Sequence, residues 1–263
     1  MITFKILRIG NKMSLKNKVY LVTGASRGIG AAIAENLLEN GAKVILHYNT
    51  AEMSAAELYE KFGPKSCLKV RANLEKRDDV DCLWSQSLAW QGHIDGLVNN
   101  AALMIDSEPK EELDIWRRDW DRTIAVNVQA VADLCRFGIL NFQKNGGGAI
   151  VNIASRAGFR GDFPDSIHYA ASKGAVVALT RSIAKGYANE NILAYIVAPG
   201  WVATERVLPK LNAPGNEKAI EEIPMGEPAP PTEVGNIVAF LLEGKARHAT
   251  GCTFDINGAS YFH

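Results

Sequence analysis

Residues 19–30 read Val19-Tyr20-Leu21-Val22-Thr23-Gly24-Ala25-Ser26-Arg27-Gly28-Ile29-Gly30. A run that is apolar at successive positions suits a strand buried on both faces. The glycine-rich turn comes next, and a helical pattern runs from about Gly28 to Asn40, with Gly41 placed as its C-cap. Glycines between a strand and a helix permit a tight turn and a close approach of backbone to a pyrophosphate, whose charge the helix N-terminus stabilises. The same turn would also serve as a plain connection, so it needs company before it names a ligand.

Outward from this turn the pattern repeats. Apolar runs at 43–46, 68–72, 94–98, 150–154, 192–197 and 253–256 alternate with helical patterns at 51–62, 76–91, 111–144 and 166–189. Strands without a polar face, separated by helices, predict a parallel sheet covered on both sides. Right-handed crossovers then give a single-domain, doubly wound α/β Rossmann fold of about seven strands, with ligand sites beyond the strand carboxyl ends. Residues 1–12 read as an N-terminal extension and 13–263 as the domain. Six of the ten prolines fall between Pro209 and Pro231, too dense for a long helix. The segment 203–231 is therefore expected to be a substrate lid.

Composition narrows the function. The 263 residues carry 29 Lys+Arg and 29 Asp+Glu, a formal charge of zero. That balance speaks against a nucleic-acid or anionic-membrane surface. The four cysteines (Cys67, Cys82, Cys135, Cys252) form no C-x-x-C, and the five histidines form no H-x-x-x-H, so no metal site is expected. No apolar run reads as a membrane span, nor the first residues as a secretory signal. The expected compartment is the cytoplasm.

Chemistry gathers in Tyr169-Ala-Ala-Ser-Lys173. Positions i and i+4 share a helix face, so Lys173 can hold a positive charge near the Tyr169 phenol. Such a charge would draw the phenol down from ~10 toward working pH and fit it for proton transfer. Ser155, at the end of the fifth strand, can hydrogen-bond a substrate oxygen. A solvated Tyr–Lys face is the bland alternative for that pair taken alone.

Taken together these residues resemble the short-chain dehydrogenase/reductase family, from Lys18 to the C-terminus. The family's T-G-x-x-x-G-x-G matches Thr23 to Gly30. Its N-N-A-G appears as Asn99-Asn100-Ala101-Ala102, with alanine for the last glycine. Its helix asparagine matches Asn127, its serine Ser155, and its Y-x-x-x-K Tyr169 and Lys173. Pro199-Gly200 with Thr204, Thr250-Gly251 and Asp255-Ile-Asn257-Gly258 match the later motifs.

The resemblance implies a reaction: interconversion of a carbonyl and a secondary alcohol by hydride transfer with a nicotinamide cofactor. Tyr169 would donate or accept the proton, Lys173 would lower its pKa and bind the nicotinamide ribose, and Ser155 would polarise the substrate oxygen. Asn127 would hold a water behind Lys173, and an asparagine at that point of a helix suggests a local irregularity. Gly24, Ser26, Arg27, Gly28, Ile29 and Gly30 would cradle the dinucleotide. Asn99 and Ala101 would line the adenosine ribose side, Asn73 and Leu74 the adenine. Pro199, Gly200, Val202 and Thr204 would meet the nicotinamide end. The family's usual Asp before Leu74 is Asn73 here, whose amide oxygen still suits the adenine amino group.

An acid at the end of strand two usually marks NAD(H), because it takes the ribose 2′-OH. Here that end reads Leu46-His47-Tyr48-Asn49-Thr50, and the first carboxylate is Glu52. Arg27 suits a 2′-phosphate, to which Asn49 could add a hydrogen bond, so NADP(H) is the preferred cofactor and NAD(H) the alternative. Similarity is greatest to the 3-oxoacyl-[acyl-carrier-protein] reductase branch, which implies a 3-oxoacyl thioester. The stretches where that branch docks its acidic carrier read Asn145-Gly-Gly-Gly148 and Ala188-Asn-Glu-Asn191, without Lys or Arg. A small ketone, sugar or polyol is the other substrate class. A non-catalytic dinucleotide sensor is the reading from outside enzymology. Relatives pack the Trp116–Asn127 and Tyr169 helices across subunits, which implies a homotetramer.

Overall fold

A computed structural model describes residues 14–215 and 217–263. The expected extension at 1–12 lies outside the described residues. Seven parallel strands form one sheet: β1 (Val19–Val22), β2 (Lys43–Tyr48), β3 (Cys67–Arg71), β4 (Gly96–Asn99), β5 (Gly148–Ile153), β6 (Ile192–Pro199) and β7 (Thr253–Ile256). Their order is β3-β2-β1-β4-β5-β6-β7. Winding reverses between β1 and β4, where Val22 pairs with Leu46 on one side and Val98 on the other. The crevice for a ligand opens beyond these two carboxyl ends.

Among the described residues ten α-helices cover the sheet and its rim: α1 (Gly28–Glu39), α2 (Met53–Phe62), α3 (Arg77–Gln91), α4 (Leu113–Ile124), α5 (Ala130–Asn145), α6 (Ala157–Arg160), α7 (Ile167–Tyr187), α8 (Leu208–Leu211), α9 (Glu217–Glu221) and α10 (Pro231–Leu242). Alternate residues of each strand feed opposite cores. Tyr20 and Val22 join Ile33, Leu37, Val234 and Val238 on the face of α1 and α10. Val19 and Leu21 join Leu83, Leu134 and Val176 on the face of α3, α5 and α7. All eight residues of β6 are buried, as an inner strand with helices on both faces requires.

The long helical pattern expected over 111–144 is divided. A π-helical turn, Ala125–Gln129, separates α4 from α5. The whole stretch Leu113–Asn145 is long and apolar enough to cross a membrane by length and composition alone, with a mean hydropathy of 1.3 in its best window. Here it packs against the sheet, burying Leu134, Cys135 and Phe142. The proline-rich region is not featureless: α8 and α9 lie within it, each at most five residues long.

Candidate active site

Each wall of the crevice is set by a local backbone requirement. At Gly24 φ is +67°, a region open to glycine, and its N–H donates to Nδ1 of His47 (3.0 Å). That ring nitrogen accepts, so Nε2 carries the hydrogen and donates to the Ala72 carbonyl (3.1 Å). Burial pushes the His47 pKa down to about 4, which keeps the imidazole neutral in this double role. A histidine thus pins the glycine turn to the ends of β2 and β3. Its apolar neighbours along the chain carry no signal of this role.

On the other side Thr23 Oγ1 accepts the N–H groups of Asn100 (2.9 Å) and Ala101 (3.0 Å). Asn100 Nδ2 donates to the carbonyls of Thr23 (2.9 Å) and Gly24 (3.2 Å). Asn100, rather than Asn99, therefore faces the turn. Asn99 is 3% exposed and donates to Asn152 Oδ1 (2.8 Å) behind the wall. The correction follows from the two-residue period of β4, which sends neighbouring side chains to opposite faces.

The cleft between these walls has a volume near 1050 Å³. It is lined by Gly24, Ser26, Arg27, Gly28, Ile29 and Gly30, by Asn49, Asn73, Leu74 and Ala101, by Ser155, Tyr169 and Lys173, and by Pro199, Gly200, Val202 and Thr204. Residues separated by up to 180 positions in sequence are thereby brought to one surface, all expected from sequence. Asn73 differs in detail. Its Oδ1 accepts the Glu75 N–H (3.0 Å), so the oxygen expected to meet adenine closes a local turn.

Asn127 lies behind the cleft. It is 1% exposed and is not part of the cleft wall. Its Oδ1 accepts the Leu103 N–H (2.8 Å), while Nδ2 donates to the Leu103 carbonyl (2.9 Å) and Ser172 Oγ (3.0 Å). The π-helical turn carries this asparagine inward, as the sequence suggested, and it clamps the loop after β4 to α7.

Lys173, 3% exposed, donates from Nζ to the Ile153 carbonyl (2.7 Å) and lies 5.6 Å from the Tyr169 ring centroid. Burial lowers its pKa to about 8. Burial pushes the Tyr169 phenol up to about 12, against smaller downward pulls from Ser155 and Arg206. Lys173 is expected from its spacing to draw the phenol down; in this cleft desolvation outweighs the downward pulls, which come from Ser155 and Arg206. A phenol that keeps its proton at neutral pH is a donor, the form needed to protonate a carbonyl oxygen.

The residues fit a dinucleotide. A Cβ at Gly30 would stand 2.1 Å from the Gly24 carbonyl oxygen, so only hydrogen is tolerated there, and at Gly28 the φ of +52° disfavours any side chain. The Gly28 N–H at the start of α1 already holds an anionic group of this chain, Glu205 Oε1 at 3.1 Å. The strap that bears Glu205 is tied down twice more, by Arg206 to the Met104 carbonyl (2.6 Å) and by Lys210 to Asp106 (3.0 Å).

Residues 24–258 match the family model described as Enoyl-(Acyl carrier protein) reductase. The chain belongs to the short-chain dehydrogenase/reductase family. It is 32% identical to the 3-oxoacyl-[acyl-carrier-protein] reductase of Staphylococcus epidermidis over 250 residues, 93% of this chain and 99% of that protein. Identity to the same-named reductase of Aquifex aeolicus is 33% over 253 residues, 95% of this chain and 100% of that protein. A solved 3-ketoacyl-(acyl-carrier-protein) reductase from Brucella melitensis, complexed with NADH, superposes with a TM-score of 0.83 at 30% identity, covering 95% of this chain and 100% of that one. This short-chain dehydrogenase/reductase is an oxidoreductase that acts on CH–OH or ketone groups with a nicotinamide dinucleotide.

Proposed function

We propose that this enzyme reduces a carbonyl to a secondary alcohol with NADPH, using Tyr169 as proton donor. The observation that carries the reading is the convergence of Ser155, Tyr169 and Lys173 on the cleft that also holds the glycine turn. The glycine turn and Lys173 would hold a dinucleotide, which when bound would supply the hydride. Ser155 orients the substrate oxygen, and Tyr169 passes its phenolic proton to that oxygen as negative charge develops there. Lys173, anchored on Ile153, binds the ribose hydroxyls and stabilises the phenolate left behind. Asn127 holds Leu103 and α7 in register. Residues 13–263 act as one unit with 203–231 as the lid, whose Glu205, Arg206 and Lys210 ties cross the cleft.

Charge at the end of β2 supports NADPH over NADH. Glu52 is held by Lys69 at 2.8 Å, which leaves Arg27 facing the cleft without a free acid on that strand end. Charge-assisted bonds of ~1.5–3 kcal/mol correspond to about tenfold to a hundredfold in affinity. Arg27→Ala is expected to weaken NADPH by that factor and NADH far less, measured as dissociation constants by fluorescence titration. Equal weakening of both cofactors would reduce Arg27 to an adenine-stacking or structural role.

The names of the relatives make a 3-oxoacyl thioester the first substrate to assay. One observation favours a free carbonyl compound instead. Where a carrier protein would dock, Gln143 is bonded to Glu190 (2.8 Å), and the loop Asn145–Gly148 offers no cation. A turnover assay with NADPH, 3-oxoacyl thioesters and free ketones separates these. Cofactor binding without turnover of any of them would favour a dinucleotide sensor.

We place the enzyme in the cytoplasm as a homotetramer. Ile115, Leu140 and Ile167, on α4, α5 and α7, are exposed apolar side chains suited to the helix faces that would meet. Light scattering at micromolar concentration is expected to give four times the 28.6 kDa of one chain, whereas a monomer would refute it.

A further inference from the structure

The residue after Ser155 is an arginine, and it is almost sealed in. The Arg156 side chain is 6% exposed. Its N–H donates to the Pro199 carbonyl (3.0 Å), which fixes the end of β5 to the end of β6. Its stem passes Gly200, where a Cβ would stand 3.5 Å from Arg156 Cδ, and its guanidinium lies 5.9 Å from the Trp201 ring centroid. Of the five N–H donors a guanidinium offers, Nη1 bonds Ser260 Oγ. Its ionic partner Glu222 Oε2 stands off at 3.7 Å from Nη2, beyond hydrogen-bond length.

Arg160, one helical turn on, faces the same oxygen at 3.5 Å and is 28% exposed. Two guanidiniums thus share one carboxylate oxygen, and both line the cleft that contains Ser155 and Tyr169. Asp162 lines it too and feels both charges. With Glu222 in place the four charges balance. Glu222 comes just after α9 in the proline-rich excursion and is 46% exposed, so it is the member that lid movement would withdraw. Its departure leaves an excess positive charge in the cleft that also holds Ser155 and Tyr169, with forked donors to take a carboxylate in two parallel bonds. A buried guanidinium without such a partner is costly, which makes an anionic occupant the favourable one.

We infer that Arg156 and Arg160 form the anion subsite of the substrate, and that the compound reduced is an oxo acid whose carboxylate takes the place held by Glu222. The inference rests on the carbonyl-reductase reading and gives it a substrate class. Hydride and proton add across the C=O as before, and the carboxylate is unchanged.

The test pairs acids with neutral analogues: 3-oxobutanoate, 4-oxopentanoate and 5-oxohexanoate against their methyl esters, with the full-length protein and NADPH. At least one acid is expected to exceed its ester in kcat/KM by about tenfold to a hundredfold, the range of charge-assisted bonding. Arg160→Gln should collapse that ratio, mainly through KM of the acid. Because Arg160 is partly exposed, this variant avoids the folding risk of changing Arg156. Glu222→Gln should raise the ratio by removing the competing carboxylate. Equal use of acid and ester by the wild type, or a ratio untouched by Arg160→Gln, overturns the inference while carbonyl reduction stands. A protein that turns over no carbonyl compound overturns both.

Discussion

Tyr169→Phe is expected to lower carbonyl reduction by roughly 10²–10⁴-fold, the usual worth of a positioned proton donor. The substitution removes one oxygen and leaves the ring beside Lys173. NADPH affinity should stay within about twofold, because the ribose contacts are assigned to Lys173 and the cradle to the glycine turn. The pH profile supplies an independent check. With the phenol near 12, Tyr169 stays protonated across the working range, so it contributes no falling limb there. Lys173 carries its charge below about 8 and loses it as pH rises through that value. Reduction should therefore be level up to neutrality and decline above it. A Phe variant with native turnover would remove Tyr169 from the chemistry.

Gly30→Ala is expected to be severely damaging. The added carbon would meet the Gly24 carbonyl oxygen at 2.1 Å and Asn100 Nδ2 at 2.4 Å. Both are fixed, one as backbone and the other by its bonds to the β1 end. Overpacking of about 3 kcal/mol would lower Tm by roughly 6–12 °C for a domain this size. Spreading the turn also misaligns the cradle, so NADPH binding should fall by about two decades, the loss of one or two charge-assisted bonds. Thermal unfolding read with and without NADPH tests both parts. A variant that melts and binds like the wild type would show that the turn yields cheaply.

Most of this architecture was legible because its causes are local. Runs such as Val19–Val22 and Ile192–Pro199 have no polar face, and that property forces helices onto both sides. The glycine turn and the Tyr169–Lys173 spacing carry their chemistry in adjacent positions. What failed depends on direction or on distant partners. Asn99 and Asn100 differ by one residue in sequence, yet the pleat of β4 sends one to the core and one to the turn. The protonation of Tyr169 is governed by how deeply the assembled cleft surrounds it, which i to i+4 spacing cannot report. Arg156 and Arg160 meet Glu222 only through the folded chain, across more than sixty residues of sequence.

Glu205 on the Gly28 N–H gives the protein an internal competitor for its own cofactor. A tethered carboxylate is present at a fixed effective concentration, whatever the protein is dissolved in. The measured affinity for a dinucleotide is then the intrinsic affinity multiplied by the fraction of molecules whose strap is lifted. Anything that holds the strap away would tighten binding without touching the dinucleotide. Salt that loosens the Lys210–Asp106 tie acts in that direction, opposing its screening of the phosphates. The ionic-strength dependence of cofactor binding should accordingly be shallower than the charge on the ligand alone would dictate.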